Sequence, residues 1–370
     1  MKRLISFALY DSGETVLGAL LFSTLYPLYI TQHISVKIYS LFYSFAFFLS
    51  FLIALQMSRI ADHRAWRKPF FILFSLFIPL FCLTLYLTFH KVELNFLLYL
   101  LLALVHQQAL IFYNSLLKSF DAKGSASGFG VALGYVGSAL ALIFLAPRLS
   151  LPYAFLWLAL IFLFLSLPSL LTLSEPKERQ RVNLWKILKD RSFLLVLISM
   201  LLLMELAHTM IAMMGVYLRE VYGLGYDEIY RTIGFSALGG VIGGLLWGRL
   251  TDKLSASRLF PLGFLLWSLF LIFLYGFPKE FLLPLGFLAG FSLSHLWTTS
   301  RVLLLERFAK GDIAVRFSFY SLSERIASSL GLFSWSLFLH LTEDYRLSAL
   351  LMLFFPFLGF LTYRLSSRIP

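Results

Sequence analysis

The sequence predicts an all-α polytopic membrane protein, with twelve transmembrane helices in two six-helix halves. Twelve apolar stretches follow one another along the chain, each about the ~20 residues that a helix needs to cross ~30 Å of hydrocarbon. None alternates polar and apolar residues over ~10 positions, as the strands of a membrane barrel do. One long polar interval, Ser174–Arg191, leaves six stretches on either side. Composition agrees about the solvent: 59% of residues are hydrophobic, 14% are charged and 40 are Phe. That is too little polar surface to cover a soluble core.

In the first half the stretches are Leu4–Ile30, Ile38–Met57, Phe70–Phe89, Leu94–Leu117, Ser127–Ala146 and Tyr153–Leu173. In the second they are Phe193–Val216, Ile229–Leu250, Leu259–Phe277, Phe281–Leu305, Val315–Leu339 and Leu347–Leu365. The expected domains are therefore an N-terminal half, 1–173, a cytoplasmic linker, 174–191, and a C-terminal half, 192–370. Within the linker, Val182–Lys189 reads as a short amphipathic helix with Trp185 and Leu188 against the membrane surface.

A net charge of +12 would suggest nucleic acid in a soluble protein. Here the basic residues sort by loop instead. Lys2, Arg3, Arg59, Arg64, Arg67 and Lys68 fall at one face, followed by the linker cations, Arg249, Lys253, Arg258, Arg307, Lys310, Arg364 and Arg368. The opposite loops are sparse in Lys and Arg. By the positive-inside rule both termini are cytoplasmic, in a protein of the cytoplasmic (inner) membrane. The basic partner is then membrane lipid, not nucleic acid. The single cysteine, Cys82, builds neither a disulfide framework nor a thiolate metal site, and no cofactor is expected.

Charged and imidazole side chains enter only some stretches. Asp11 and Glu14 lie in the first, His106 in the fourth, Glu205 and His208 in the seventh. His295 and Arg301 lie in the tenth, and Arg316, Glu324 and Arg325 in the eleventh; the cores of the third, sixth, ninth and twelfth hold none. An intramembrane charge normally faces a bundle interior or a wet cavity, so this selectivity points to a transporter.

Asp11 and Glu14, three residues apart, share a helix face, and two carboxylates close together in a low dielectric do not both ionise cheaply. Glu205 and His208 repeat that spacing, and an imidazole beside an acid suits proton transfer. These four are the expected proton-coupling groups. His106 with Gln107, and His295 with Trp297, would offer a polar solute hydrogen bonds and an aromatic wall. Arg301 and Arg325 would meet a carboxylate of substrate or protein, since an Arg binds it bidentately and stays charged. Arg316, Tyr320, Glu324 and Ser328 step by four along one stripe, with Arg325 displaced by ~100°. The spacing of the His residues does not define a metal site, and none is expected.

Between the second and third stretches the chain reads Ser58-Arg59-Ile60-Ala61-Asp62-His63-Arg64-Ala65-Trp66-Arg67, and after the eighth Gly248-Arg249-Leu250-Thr251-Asp252-Lys253. Both resemble the loop signature G-x-x-x-D-R-x-G-R-[RK] of the major facilitator superfamily, with Ser58, His63, Ala65 and Trp66 departing from it in the first copy. Parallel six-helix repeats carry such loops in equivalent places. The resemblance implies that helices one, four, seven and ten surround a central cavity. It also implies that Asp62, with Arg67, gates transport by meeting the positive N-terminus of helix eleven near Asp312–Arg316, and that Asp252 does so more weakly at helix five.

A narrower resemblance rests on Tyr10-Asp11-Ser12, Tyr113-Asn114-Ser115, Ser127-Gly128-Phe129-Gly130-Val131-Ala132-Leu133-Gly134-Tyr135-Val136-Gly137 and Phe319-Tyr320-Ser321-Leu322. These are similar to the autophagy-related vacuole-effluxer branch, with Ser12 replacing Trp, Glu324-Arg325 replacing Gly-Lys and Leu332 replacing Pro. The branch implies efflux of amino acids; with the acids of spans one and seven, the expected function is proton-coupled efflux of a small polar metabolite by alternating access, and the superfamily fold implies a monomer. The Phe-rich spans admit a lipid or amphiphile exporter as an alternative. A membrane-embedded lipid-modifying enzyme is the alternative of another class, but no Gly-x-Ser-x-Gly elbow, paired metal motif or phosphate loop supports it.

Overall fold

The computed structural model describes residues 1–369, the side chains of residues 226, 230 and 328 excepted. All regular structure among them is helical. In the N-terminal half the membrane-crossing helices are spans one to six: Lys2–Ile30, Val36–Arg64, Arg67–Leu87, Val92–Ser119, Lys123–Leu145 and Tyr153–Thr172. Spans seven to ten are Arg191–Tyr222, Asp227–Leu254, Ala256–Gly276 and Lys279–Arg307, and span twelve is Tyr345–Ser366. Span eleven, Ile313–Thr342, is 30 residues long and carries Arg316, Glu324 and Arg325 along its first half.

Several helices outrun their apolar stretches, because hydrogen-bonded turns continue into the polar interface. Span two continues beyond Met57 to Arg64 and stops at Ala65, whose φ of 56° and ψ of 51° are left-handed. Span one is not uniform: it widens to π-helical turns over Gly18–Leu25. Span five does the same over Ala141–Leu145. The expected linker helix is present as Leu184–Lys189, capped by Asn183 accepting from Trp185 N at 3.0 Å, with Trp185 exposed and Ile187 buried.

The chain forms two compact units: Met1–Val182 with Ala309–Ser318, and Asn183–Phe308 with the chain from Phe319 onward. The first ten residues around the start of span eleven thus belong to the unit built by the N-terminal spans.

In the first unit, span one packs on span five through glycines. A Cβ on Gly130 would collide with the Asp11 carboxylate, one on Gly134 would lie 2.8 Å from Thr15 Oγ1, and one on Gly137 would strike Ser12 Oγ. Tyr113 donates to the Phe7 carbonyl at 2.8 Å and stacks with Tyr10, fixing span four to span one. Gln108 Nε2 reaches Ser50 Oγ at 2.8 Å and ties span four to span two.

The second unit repeats two of these pairings, two–four as eight–ten and one–five as seven–eleven. Spans eight and ten approach through glycines on both helices: a Cβ on Gly239 would strike the Phe287 carbonyl, and one on Gly290 the Ser236 carbonyl. Such contacts let backbones close to distances that larger residues forbid. Span eleven lays Gly331 against Thr209 and Glu205 of span seven. Ser199 donates to the Gly359 carbonyl at 2.9 Å, joining spans seven and twelve.

Candidate functional site

Charged and imidazole groups gather in three places, one at the basic end of the first unit and one within each unit's membrane-spanning core.

At the basic end, Asp62 and Arg67 are both fully buried. Arg67 Nε donates to Asp62 Oδ1 at 2.8 Å. The same Asp62 oxygen accepts from Ala314 N at 3.0 Å, and Oδ2 accepts from Val315 N at 3.0 Å. These are orphan amides in the first turn of span eleven, where the helix dipole also favours an anion. The rest of the Arg67 guanidinium is divided among Glu175 Oε1 at 3.1 Å and the carbonyls of Pro176, Glu178 and Gly311 at 3.3, 2.9 and 2.9 Å. Gly311 holds a φ of +128°, a conformation glycine adopts without strain. Ser58 and Ser318 hydroxyls meet at 2.9 Å, and Lys118 donates to the Ala309 carbonyl at 3.1 Å. Burial raises Glu175 above the ordinary carboxylate range, against the opposing pull of the Lys68 amide and Arg67.

Asp252, the counterpart in the second loop copy, is exposed. The two copies therefore differ in burial although both keep the acid.

In the core of the first unit the two acids of span one have different neighbours. Asp11, 7% exposed, lies against Gly130 of span five. Glu14 Oε1 approaches His106 Nε2 of span four at 3.2 Å, within ion-pair distance but out of line for a hydrogen bond. Phe22 covers the imidazole with ring centroids 4.8 Å apart. Gln107 is buried beside it in sequence.

In the core of the second unit Glu205 is buried and accepts from Ser334 Oγ of span eleven at 3.3 Å. His208 lies against Trp297 of span ten, with ring centroids 5.5 Å apart, and its Nε2 has no partner among the described residues. Tyr320 and Ser300 hydroxyls meet at 2.9 Å, and Arg301 Nε donates to the Trp297 carbonyl at 3.0 Å. Glu324 and Arg325 are half-buried on span eleven. Arg316 belongs to the first unit and pairs with Asp312 at 2.8 Å, while Ser328, the last member of the expected stripe, lies outside the described side chains. His295 is fully buried and faces away from Trp297: its Nε2 lies 3.0 Å from the Leu259 carbonyl, and its ring meets Trp247 edge-on.

One repeat escaped the reading of the sequence. Thr15 donates to the Asp11 carbonyl at 2.6 Å, and Thr209 donates to the Glu205 carbonyl at 2.7 Å. Each acid and its threonine pack on glycines, Gly130 and Gly134 of span five in one case and Gly331 of span eleven in the other. The signal, an acid followed four residues later by Thr, is present in both spans. It equates Asp11 with Glu205 and Glu14 with His208.

The family model of the Major Facilitator Superfamily matches residues 232–369. The fold of the whole chain is that of solved transporters of this kind. A bacterial homologue of the iron transporter ferroportin, outward-facing with soaked iron, superposes with a TM-score of 0.78 at 16% identity, covering 99% of this chain and 98% of that one. The chain is thus similar to the major facilitator superfamily in the sequence of residues 232–369 and in the fold of its whole length. The fucose:proton symporter of E. coli superposes with a TM-score of 0.77 at 12% identity, over 99% of this chain and 98% of that one. In sequence, a protein of Aquifex aeolicus (strain VF5), described as uncharacterized, is 56% identical over 97% of this chain and 95% of its own length. With its long apolar helices, the chain is an integral membrane protein that has the fold of these transporters.

Proposed function

We propose that this transporter couples export of a small polar metabolite, amino acids favoured, to protons by alternating access of its two six-helix halves. The observation that carries the reading is the duplicated acid. Asp11 and Glu205 are buried at equivalent places on spans one and seven, each backed by a glycine-bearing helix. Buried intramembrane acids are costly, and where they occur they mark a functional site by default. Beside them stand the Glu14–His106 contact, which can exchange a proton, and His208 against Trp297. Arg301 and Arg325 supply permanent positive charge for a carboxylate. The Asp62 carboxylate on the first turn of span eleven, held by Arg67, acts as the gate, and its release belongs to the transport cycle. The protein works as a monomer in the cytoplasmic membrane with its basic face inward.

The test uses purified protein in liposomes with an imposed pH gradient and an enclosed pH dye. Amino acids, organic anions and amphiphiles are added one at a time. Substrate-dependent dissipation by the wild type, abolished in Asp11→Asn and Glu205→Gln but retained as gradient-independent exchange of labelled substrate, supports the reading. Unchanged, pH-sensitive flux in both variants would refute proton coupling through these acids.

A further inference from the structure

At the basic end of the second unit a cavity of about 680 Å³ opens beside spans nine, ten and twelve. Its polar wall includes Arg307, Arg364, Ser257 and Ser367. A second cavity of about 600 Å³, lined by Phe264, Leu265, Ser268, Phe354 and Phe357, lies between spans nine and twelve. The two share Pro261 and Phe360, so a basic recess continues into an apolar groove.

The recess holds two guanidinium groups, Arg307 and Arg364, and one carboxylate, Glu306. Arg307 is held by Ser366 Oγ at 3.1 Å, Ser192 Oγ at 2.9 Å and the Ser366 carbonyl, and has no carboxylate partner among the described residues. Arg364 is exposed and rests over the Phe360 ring, its guanidinium carbon 5.3 Å from the centroid. Glu306, which also lines the recess, accepts from Ala256 N at the start of span nine at 2.9 Å, so the recess keeps an excess of positive charge.

The groove has the dimensions of one leaflet. From Ser257 to Ser268 span nine rises ~16 Å at ~1.5 Å per residue, about half of the ~30 Å hydrocarbon thickness. Leu265 is 55% exposed and Phe357 62% exposed, so the groove opens outward along its length. A basic pocket between helices at the membrane edge is a recognised way of holding anionic headgroups.

We propose that this composite cavity binds one anionic phospholipid from the leaflet flush with the basic face. The phosphate sits between Arg307 and Arg364, the headgroup hydroxyls meet Ser257 and Ser367, and one acyl chain lies along Phe264, Phe354 and Phe357. The site is separate from the coupling acids and does not rest on the transport reading.

The full chain, delipidated in neutral detergent, is titrated with phosphatidylglycerol and with phosphatidylcholine of the same acyl chains, and retention is read by native mass spectrometry. The wild type retains one phosphatidylglycerol in preference to phosphatidylcholine. Arg364→Gln lowers that preference about five-fold, the equivalent of ~1 kcal/mol for one basic residue at an anionic surface. Ser268→Trp, which fills the groove, lowers retention of both lipids and leaves the preference unchanged. Equal retention of the two lipids by the wild type, or a preference unmoved in folded Arg364→Gln, overturns the proposal. Displacement of phosphatidylglycerol by inorganic phosphate alone, or a dimer that forms in place of the lipid adduct, reassigns the cavity and overturns it as well.

Discussion

Replacing Arg67 by Met keeps an unbranched apolar stem and removes every polar contact the guanidinium makes. Asp62, fully buried, would retain only the amides of Ala314 and Val315, and the carbonyls of Pro176, Glu178 and Gly311 would each lose a donor. Breaking a buried pair by removing one partner costs about 3–5 kcal/mol, because the other charge is left uncompensated. At about 2 °C per kcal/mol, the apparent Tm should fall by ~6–10 °C. Cys82 is the only cysteine and is buried, so a thiol-reactive dye reports unfolding without further labelling. Asp62→Asn/Arg67→Met removes the stranded charge and should recover part of the loss, as a double-mutant cycle would show. The reasoning is refuted if Arg67→Met unfolds within about 2 °C of the wild type, or if the double variant is no more stable than the single.

Ala65→Gly should raise stability by about 1 kcal/mol in the same assay, since Ala65 occupies a left-handed conformation that costs a non-glycine residue ~1–2 kcal/mol; a lower Tm would contradict this. Gly290→Ala should destabilise by ~1–3 kcal/mol because its Cβ meets the Ser236 carbonyl, whereas Gly234→Ala, with open space around it, should leave the Tm unchanged or slightly higher. Similar effects at both sites would count against close packing of spans eight and ten. Folding favours the protonated form of Glu175, whose titration burial raises, so its contribution is greatest below the ordinary carboxylate range and declines as pH rises through the folded value. Stability of the wild type relative to Glu175→Gln should therefore fall as pH rises from about 4, the ordinary carboxylate range, and a rise instead would reverse the assignment.

The sequence made the spans legible because apolar length is set by bilayer thickness, a constraint read residue by residue. The place of Asp62 was legible through the resemblance of its loop to the superfamily signature, which implied the start of span eleven as its partner, and its carboxylate meets the Ala314 and Val315 amides there. What lay hidden was whatever depends on backbone partners or on distant residues. The grip of Arg67 on three carbonyls leaves no mark in the identities of Pro176 or Glu178. Asp11 and Glu14 share a helix face on paper, but the packing partner of each is chosen by a different helix, Gly130 on one side and His106 on the other. His295 and Trp297 were grouped by proximity along the chain, yet two residues on a helix are turned ~200° apart, and His295 goes to Leu259 and Trp247. The π-helical turns of span one likewise shift its phase beyond Gly18, which a uniform period of 3.6 cannot anticipate.

Three of the acceptors that hold Arg67 are main-chain carbonyls. Every amino acid supplies that oxygen, so substitutions at Pro176 and Glu178 can accumulate without removing it. Mutational tolerance around this junction should be lopsided: Arg67 and Asp62 have no chemical substitute, Gly311 is constrained by its backbone angle, and the intervening linker is free to drift. The loop departs from the superfamily signature at Ser58, His63, Ala65 and Trp66 but retains Asp62 and Arg67, the pair that grips this junction.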